Sequence, residues 1–300
     1  METGKRFRIL HAAVLLSLMA CAEKPRPGTE PPGIACGPPE ITGRLPSELR
    51  EASGIASSAL HPGVIWVVVD GGGPVLTAID STGRIIARIE VAGAGNTDWE
   101  SLAVAPCGQQ SCLYIGDIGD NLRARESIRI YRVAEPGLAD RTTAPADRFA
   151  FRYPDGAHDA EAVFILPDEL PYVITKGRSE PISVYRAPAP LTSDSVTTLR
   201  LVQPLSASFV QLPDMITGAG ATADGQWVVL RTYASVQLYR MVEGSMQPQL
   251  PGRGIELEAL KESQGEGADL RADGTILLLS EKGLGDGPAP LSRVRCSLTS

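Results

Sequence analysis

Five short segments, each joining an acid or a threonine to small residues, recur roughly fifty to sixty residues apart along the 300-residue chain. That repeat predicts an all-β fold, a β-propeller of five four-stranded blades. Two further observations support this fold class. Each segment is followed by a Val/Ile/Leu-rich run of strand length, then by runs that alternate apolar and polar residues. Glycine (31) and proline (24) are plentiful enough to supply the many turns such a chain needs. Hydrophobic residues make up 43%, enough for a sizeable core. The net charge of −7, with no basic patch, argues against nucleic-acid binding.

The first element in chain order is a leader. Lys5, Arg6 and Arg8 precede a mostly apolar run from Ile9 to Ala20, too short to span a bilayer comfortably. Residues 1–20 are therefore expected to be a signal peptide. The run ends Leu18-Met19-Ala20-Cys21, which resembles the lipobox of bacterial lipoproteins, so Cys21 is the expected lipidation site. Residues 21–35, which contain AEKPRPGTEPPG, read as an extended, semi-rigid tether. Residues 36–300 are the expected propeller domain. A lipid anchor makes the membrane a partner. Ala22, in place of an aspartate after Cys21, points to the outer membrane or cell surface over the inner membrane.

The blades follow. Their first strands are EASGIASS from Glu51, ESLAVAP from Glu100, EAVFILPD from Glu161, TGAGATADG from Thr217 and EGADLRADG from Glu266. Second strands are VIWVVVD, CLYIGD, PYVITK, QWVVLR and TILLLSE; third strands are VLTAID, SIRIYRV, ISVYRA, SVQLYRM and LSRVRC. Fourth strands are RIIARIEV, DRFAFRY, TTLRLVQ and GIELEAL, and the last unit has none because the chain ends. ITGRLP, from Ile41, is left over at the N-terminus and is expected to complete the last blade, closing the ring and removing an exposed edge. No helix is expected in the mature domain. Six blades are the alternative, if the stretch from Pro188 to Pro213 holds another. Asp224-Gly225 and Asp273-Gly274 are expected hairpin turns.

Setting Cys21 aside leaves Cys36, Cys107, Cys112 and Cys296, an even set in an exported chain. Four cysteines allow three pairings. Cys107 and Cys112 flank a hairpin tip, and ring closure brings Cys36 toward Cys296, which favours 107–112 and 36–296. A metal site at Cys107 and Cys112 would lack a nearby histidine.

Antiparallel pairing of first and second strands puts the start of one and the end of the other at the same rim. The rim around the channel therefore gathers Glu51, Glu100, Glu161, Thr217 and Glu266 with Asp70, Asp117, Asp120, Asn121, Lys176, Arg231, Tyr233, Glu281 and Lys282. Crowded carboxylates cannot all stay ionised and unpaired. Hard oxygen donors suit Ca²⁺, with Glu51, Glu100, Asp117, Asp120, Asn121, Glu161 and Glu266 as the expected ligands. A salt-bridge lattice built on Lys176 and Arg231 is the alternative. His158 stands before Glu161 as a candidate acid/base, and Lys176 and Arg231 are the other candidate catalytic groups. Trp99 either stacks on a ligand or packs between blades. Ser53 has no histidine neighbour in sequence, and GxSxG, P-loop and HExxH motifs are absent.

EASGIASS, DWESLAV, LYIGDIGDN, YPDGAHDAEAV, VITKG, TGAGATADG, QGEGADL and LLSEKG together resemble a family of exported bacterial β-propeller lipoproteins of unknown function, over roughly residues 45 to 285. The wider pattern is similar to phytase-like and calcium-apyrase propellers, which bind Ca²⁺ on the channel face and hydrolyse phosphate esters or anhydrides. That resemblance implies that matched rim acids hold metal.

Three functional readings follow. The first is a lipid-anchored, monomeric binding module whose mouth holds a divalent metal and a small polar or anionic ligand or an envelope protein. The second is a metal-dependent phosphoester hydrolase in which Lys176 and Arg231 steady phosphoryl oxygens. The third is a structural envelope scaffold.

Overall fold

The computed structural model describes Met1 and residues 34–193, 195–283 and 287–298. The expected signal peptide beyond Met1, the expected lipidation site Cys21, and all but the last two residues of the expected tether lie outside the described residues.

Two N-terminal strands come first, β1 (Ala35–Cys36) and β2 (Glu40–Arg44). Blade 1 is β3 (Ala52–Ser57), β4 (Ile65–Val69), β5 (Val75–Ile79) and β6 (Ile85–Glu90). Blade 2 is β7 (Trp99–Cys107), β8 (Gln110–Asp117), β9 (Ile128–Ala134) and β10 (Asp147–Arg152). Blade 3 is β11 (Ala160–Ile165), β12 (Pro171–Thr175) and β13 (Ser183–Arg186); then, after β14 (Val196–Thr198), comes its fourth strand β15 (Arg200–Pro204). Blade 4 is β16 (Ile216–Ala221), β17 (Trp227–Thr232), β18 (Ser235–Val242) and β19 (Ser245–Pro248), with β20 (Ile255–Glu256) on the far end of β18. Blade 5 is β21 (Gln264–Leu270), β22 (Thr275–Glu281) and β23 (Pro290–Ser297), completed by β2. The inner strands form a closed circuit: β3 packs on β7, β7 on β11, β11 on β16, β16 on β21, and β21 on β3. The fold is thus a five-bladed β-propeller with an N-terminal closing strand, and the six-bladed alternative falls.

The second strands are predominantly apolar because their central residues are buried on both faces. Alternation sends Ile65 and Val67 toward blade 5 and Trp66 and Val68 toward blade 2. In β17, Val228 and Leu230 face blade 3 while Trp227 and Val229 face blade 5. The core is therefore five apolar layers, one at each blade–blade seam.

Two fourth strands differ from the sequence reading. TTLRLVQ is divided at buried Leu199. β14 runs parallel to β10 and covers the edge of blade 2, and only β15 belongs to blade 3. In blade 4, Glu243 (φ 50°) and Gly244 (φ 79°) make a two-residue turn with both central residues left-handed, so β19 folds straight back on β18. GIELEAL then contributes only β20 and a 3₁₀ turn, Glu258–Leu260; Ser47–Leu49 is a second such turn.

Cys36 lies opposite Cys296 across β1 and β23 and is disulfide-bonded to it; Cys107 is bonded to Cys112 at the β7–β8 hairpin. The first bridge joins residues 260 apart and the second joins residues 5 apart. Because a cross-link restrains the unfolded chain more as its loop lengthens, C36S/C296S is expected to lose about 2–5 kcal/mol in urea unfolding. C107S/C112S should lose measurably less.

Candidate functional site

Each inner strand carries a β-bulge at the same place. Pairing skips Ser53 in blade 1, Glu100 in blade 2, Glu161 in blade 3, Thr217 in blade 4 and the Glu266–Gly267 step in blade 5. A bulge re-aims the extra side chain out of the pleat. Ser53, Glu100, Glu161 and Glu266 accordingly line one cavity at the channel mouth, while Thr217 donates its hydroxyl to the Glu266 carbonyl (3.2 Å). The equivalent of Glu100 in blade 1 is thus Ser53. The aligned triplets ASG, WES, AEA, ITG and GEG carry the signal, and matching on Glu51 shifts blade 1 by two residues.

The cavity is about 180 Å³. Glu51, Asp70, Glu100, Glu161, Glu266 and Glu281 bring carboxyl groups to it, against the cations Lys176 and Arg178. Asn121, Tyr233 and Gln264 add neutral polar groups. Lys176 stands 2.5 Å from Glu161 and Arg178 donates to Asn121 Oδ1 (2.6 Å). Glu100 lies within hydrogen-bonding reach of both Asp98 and Glu161. Glu266 is 7% exposed and its carboxylate has no hydrogen-bond donor or ion-pair partner among the described residues.

Burial sets the protonation of this ring. It pushes Glu161 up to about 7, with Lys176 opposing the rise, and Glu266 up to about 8, where Glu161 adds repulsion. Glu100 is held well above the carboxylate range by burial and then by Glu161 and Asp98. Asp70, Asp98 and Glu281 are raised by burial as well. Burial pulls Lys176 down, but Glu161 overcomes it and keeps the ammonium charged. Tyr233 is raised to about 12 by burial and Glu266, so it remains a neutral donor.

The other expected site residues lie elsewhere. Asp117 is fully buried; its Oδ1 accepts from the Asp98 N–H (3.2 Å) and from Arg125 (3.0 Å). Asp120 accepts from the N–H groups of Ala124 (2.9 Å) and Arg125 (2.8 Å), and its own N–H donates to Asp159 (3.0 Å). DIGDN is thus a turn braced by its own acids. A side chain at Gly119 would meet the Asp98 carboxylate and stand 2.9 Å from Glu100 Oε1. Arg231 is fully buried, pairs with Glu262, and donates to the carbonyls of Gly267 (3.1 Å) and Leu279 (2.7 Å), clamping blade 4 to blade 5. His158 lies 2.8 Å from Asp155 and 2.5 Å from Glu180, with Tyr185 3.2 Å away, behind the loop that precedes β11. Trp99 packs between blades 1 and 2, its indole N–H on the Gly95 carbonyl (2.8 Å). The seven expected metal ligands therefore do not share one coordination sphere. No group of three or more His, Cys, Asp or Glu side chains among the described residues is arranged to hold a metal ion.

No family model matches the sequence, and no curated protein matches it. Solved structures do match. The PQQ-bound form of an aldose sugar dehydrogenase from Streptomyces coelicolor is 9% identical over 89% of this chain and 99% of its own, with a TM-score of 0.52. A glucose dehydrogenase is 12% identical over 89% of this chain and 100% of its own, at a TM-score of 0.46. A gluconolactonase from Xanthomonas campestris is 14% identical over 87% of this chain and 95% of its own, at a TM-score of 0.40. At 9% identity the likeness to the first of these shows the fold alone.

Raised carboxyl pKa values mean that the folded protein holds more protons than the unfolded chain between about pH 4.5 and 8. Stability from these groups is present below that window and falls as pH rises through it. In metal-free buffer the Tm is expected to decline from pH 5 toward 8, and Glu266→Gln to flatten the decline. Arg231→Met leaves Glu262 buried without a partner and is expected to cost about 3–5 kcal/mol in chemical denaturation, with part recovered in R231M/E262L.

Proposed function

We propose that this chain is a ligand-binding propeller of the cell envelope whose acidic mouth takes a cation, and that it acts by binding rather than by turnover. The observation that carries this reading is Glu266: a carboxylate only 7% exposed, lining a polar cavity, with no donor to satisfy it among the described residues. Such a group is stabilised either by a proton or by an incoming positive charge. Glu100 and Glu161 stand beside it with one ammonium, Lys176, between three glutamates. Hard oxygen donors favour Ca²⁺ among metals, and the ion would have to draw Glu100, Glu161 and Glu266 together, since no three acids among the described residues are already arranged around an ion. The expected anionic ligand enters this mouth only behind such a cation, because six acids face two bases there.

The phosphoester hydrolase reading loses its two cationic groups. Lys176 is held on Glu161, and Arg231 is spent on Glu262 and two backbone carbonyls. The two disulfides support export to an oxidising compartment, in keeping with the leader and with Cys21 as an anchor.

Calorimetric titration of the metal-free protein with CaCl₂ tests the reading. Saturable binding is expected. It should release protons below about pH 8 and tighten as pH rises toward that value, since protons and cation compete for Glu161 and Glu266. Glu266→Gln and Glu100→Gln should each weaken it by about tenfold. Absence of any heat, proton release or Tm shift with Ca²⁺ and with small primary amines would refute it.

A further inference from the structure

Three apolar side chains stand exposed beside this mouth: Leu122 (89% exposed), Phe209 (53%) and Leu212 (66%). Leu122 follows Asn121, the cavity residue that holds Arg178. Phe209 and Leu212 belong to a segment fastened at both ends to the mouth. The Val210 N–H donates to the Gly177 carbonyl (2.8 Å), and the Ile216 N–H donates to the Lys176 carbonyl (3.0 Å). The Val210 side chain closes over Gly177, where an added Cβ would stand 3.0 Å from it. The segment is thus anchored by its inward side chain while Phe209 and Leu212 point into solvent. Large apolar groups exposed on segments tied to a polar cavity mark an interaction surface.

Resting on the cation-binding reading, we propose that the mouth and this rim together dock a basic segment of a partner protein. A lysine or arginine side chain enters the cavity toward Glu266 and Glu100, and apolar residues flanking it cover Leu122, Phe209 and Leu212. Charge complementarity selects the partner. Glu51, Asp70, Glu100, Glu161, Glu266 and Glu281 outnumber Lys176 and Arg178 in the cavity, and the whole chain carries −7. The same charge disfavours an anionic bilayer surface as the occupant of the rim. The ring is also larger than one ammonium needs, since acids from four blades line it: Glu51 and Asp70 in blade 1, Glu100 in blade 2, Glu161 in blade 3, and Glu266 and Glu281 in blade 5. A side chain has its neighbours on both sides, and so reaches the mouth and the rim in one step.

Capped pentapeptides labelled for fluorescence anisotropy provide the probe: a central lysine between leucines, a central lysine between serines, and a central glutamine between leucines. They are titrated into the full chain, into L122S/F209S and into Glu266→Gln, with CaCl₂ calorimetry on the same samples. The leucine-flanked lysine peptide is expected to bind about tenfold tighter than either control. L122S/F209S, altered only at exposed positions, should keep the serine-flanked binding and lose the preference. Glu266→Gln should weaken both lysine peptides. Equal binding of the two lysine peptides, or a preference that survives in L122S/F209S, overturns the docking surface; retained Ca²⁺ binding in that case leaves the cation-binding mouth standing. Silence toward Ca²⁺ and toward every lysine peptide overturns both. Co-sedimentation with phosphatidylethanolamine vesicles that depends on Leu122 and Phe209, without peptide binding, overturns the protein partner in favour of a membrane one.

Discussion

The close approach of five inner strands around one axis governs the rest of this molecule. At Gly54 an added Cβ would stand 2.7 Å from the Leu102 nitrogen; at Gly218, 2.6 Å from the Glu266 carbonyl oxygen; at Gly267, 3.0 Å from the Ser53 carbonyl oxygen. Ser101 and Ala162 hold the corresponding positions in blades 2 and 3. Only small residues fit where backbone meets backbone, so side-chain volume has to leave the strand elsewhere. The bulge one residue earlier provides that exit and turns Ser53, Glu100, Glu161 and Glu266 to the mouth. Hydrogen bonds then join neighbouring inner strands directly, from the Ser53 hydroxyl to the Trp99 carbonyl (2.5 Å) and from the Val163 N–H to the Ser101 hydroxyl (2.9 Å).

Geometry of this kind places acids from successive blades close together whether or not they have partners. Two solutions appear side by side in this chain. Arg231 and Glu262 are both buried and pair with each other, and Arg231 also donates to two backbone carbonyls, so they bind blade 4 to blade 5 and turn away from the cavity, although Arg231 Nε and Glu262 Oε1 stay without a hydrogen-bond partner among the described residues. Glu266 and Glu100, by contrast, lie among other acids, Glu161 foremost, with Lys176 as the opposing charge they share, and burial lifts both above the ordinary carboxylate range. The proposed cation binding rests on this arrangement, since a carboxylate held protonated at the rim of a cavity can exchange its proton for a cation. Closure of the ring makes this possible: β2 completes blade 5, and at the opposite end of β23 the Cys36–Cys296 bridge ties β1 in place.

The DIGDN loop shows the same chemistry put to a different use. Four acids within Asp98–Asp120 suggest a metal cage when read as letters. In space, Asp117 receives Arg125, Asp120 caps two backbone N–H groups, and Asp98 crowds Gly119 with Glu100. Acids in tight turns are drawn to nearby amides as readily as to metals, and the spacing alone does not separate the two.

Much was legible in the letters because strand and turn preferences are local. Runs such as IWVVV and WVVL are short, rich in valine and apolar on every position, as strands buried on both faces are. Their recurrence with a small-residue motif determined the blade count, the closing strand and the rim that gathers Glu51, Glu100, Glu161, Glu266 and Lys176. Local chemistry was ambiguous where a single residue of register decides the outcome. The bulge equates Ser53 with Glu100, the Glu243–Gly244 turn makes β19, and buried Leu199 divides β14 from β15. Which carboxylates are free was beyond the sequence altogether. Arg231 and Lys176 read alike as rim cations, and Glu266 and Asp117 read alike as rim acids. Only packing decides that Arg231 turns inward to Glu262 and Asp117 to Arg125 while Glu266 is left facing the cavity, because pairing of buried charge depends on distances between blades rather than on spacing along the chain.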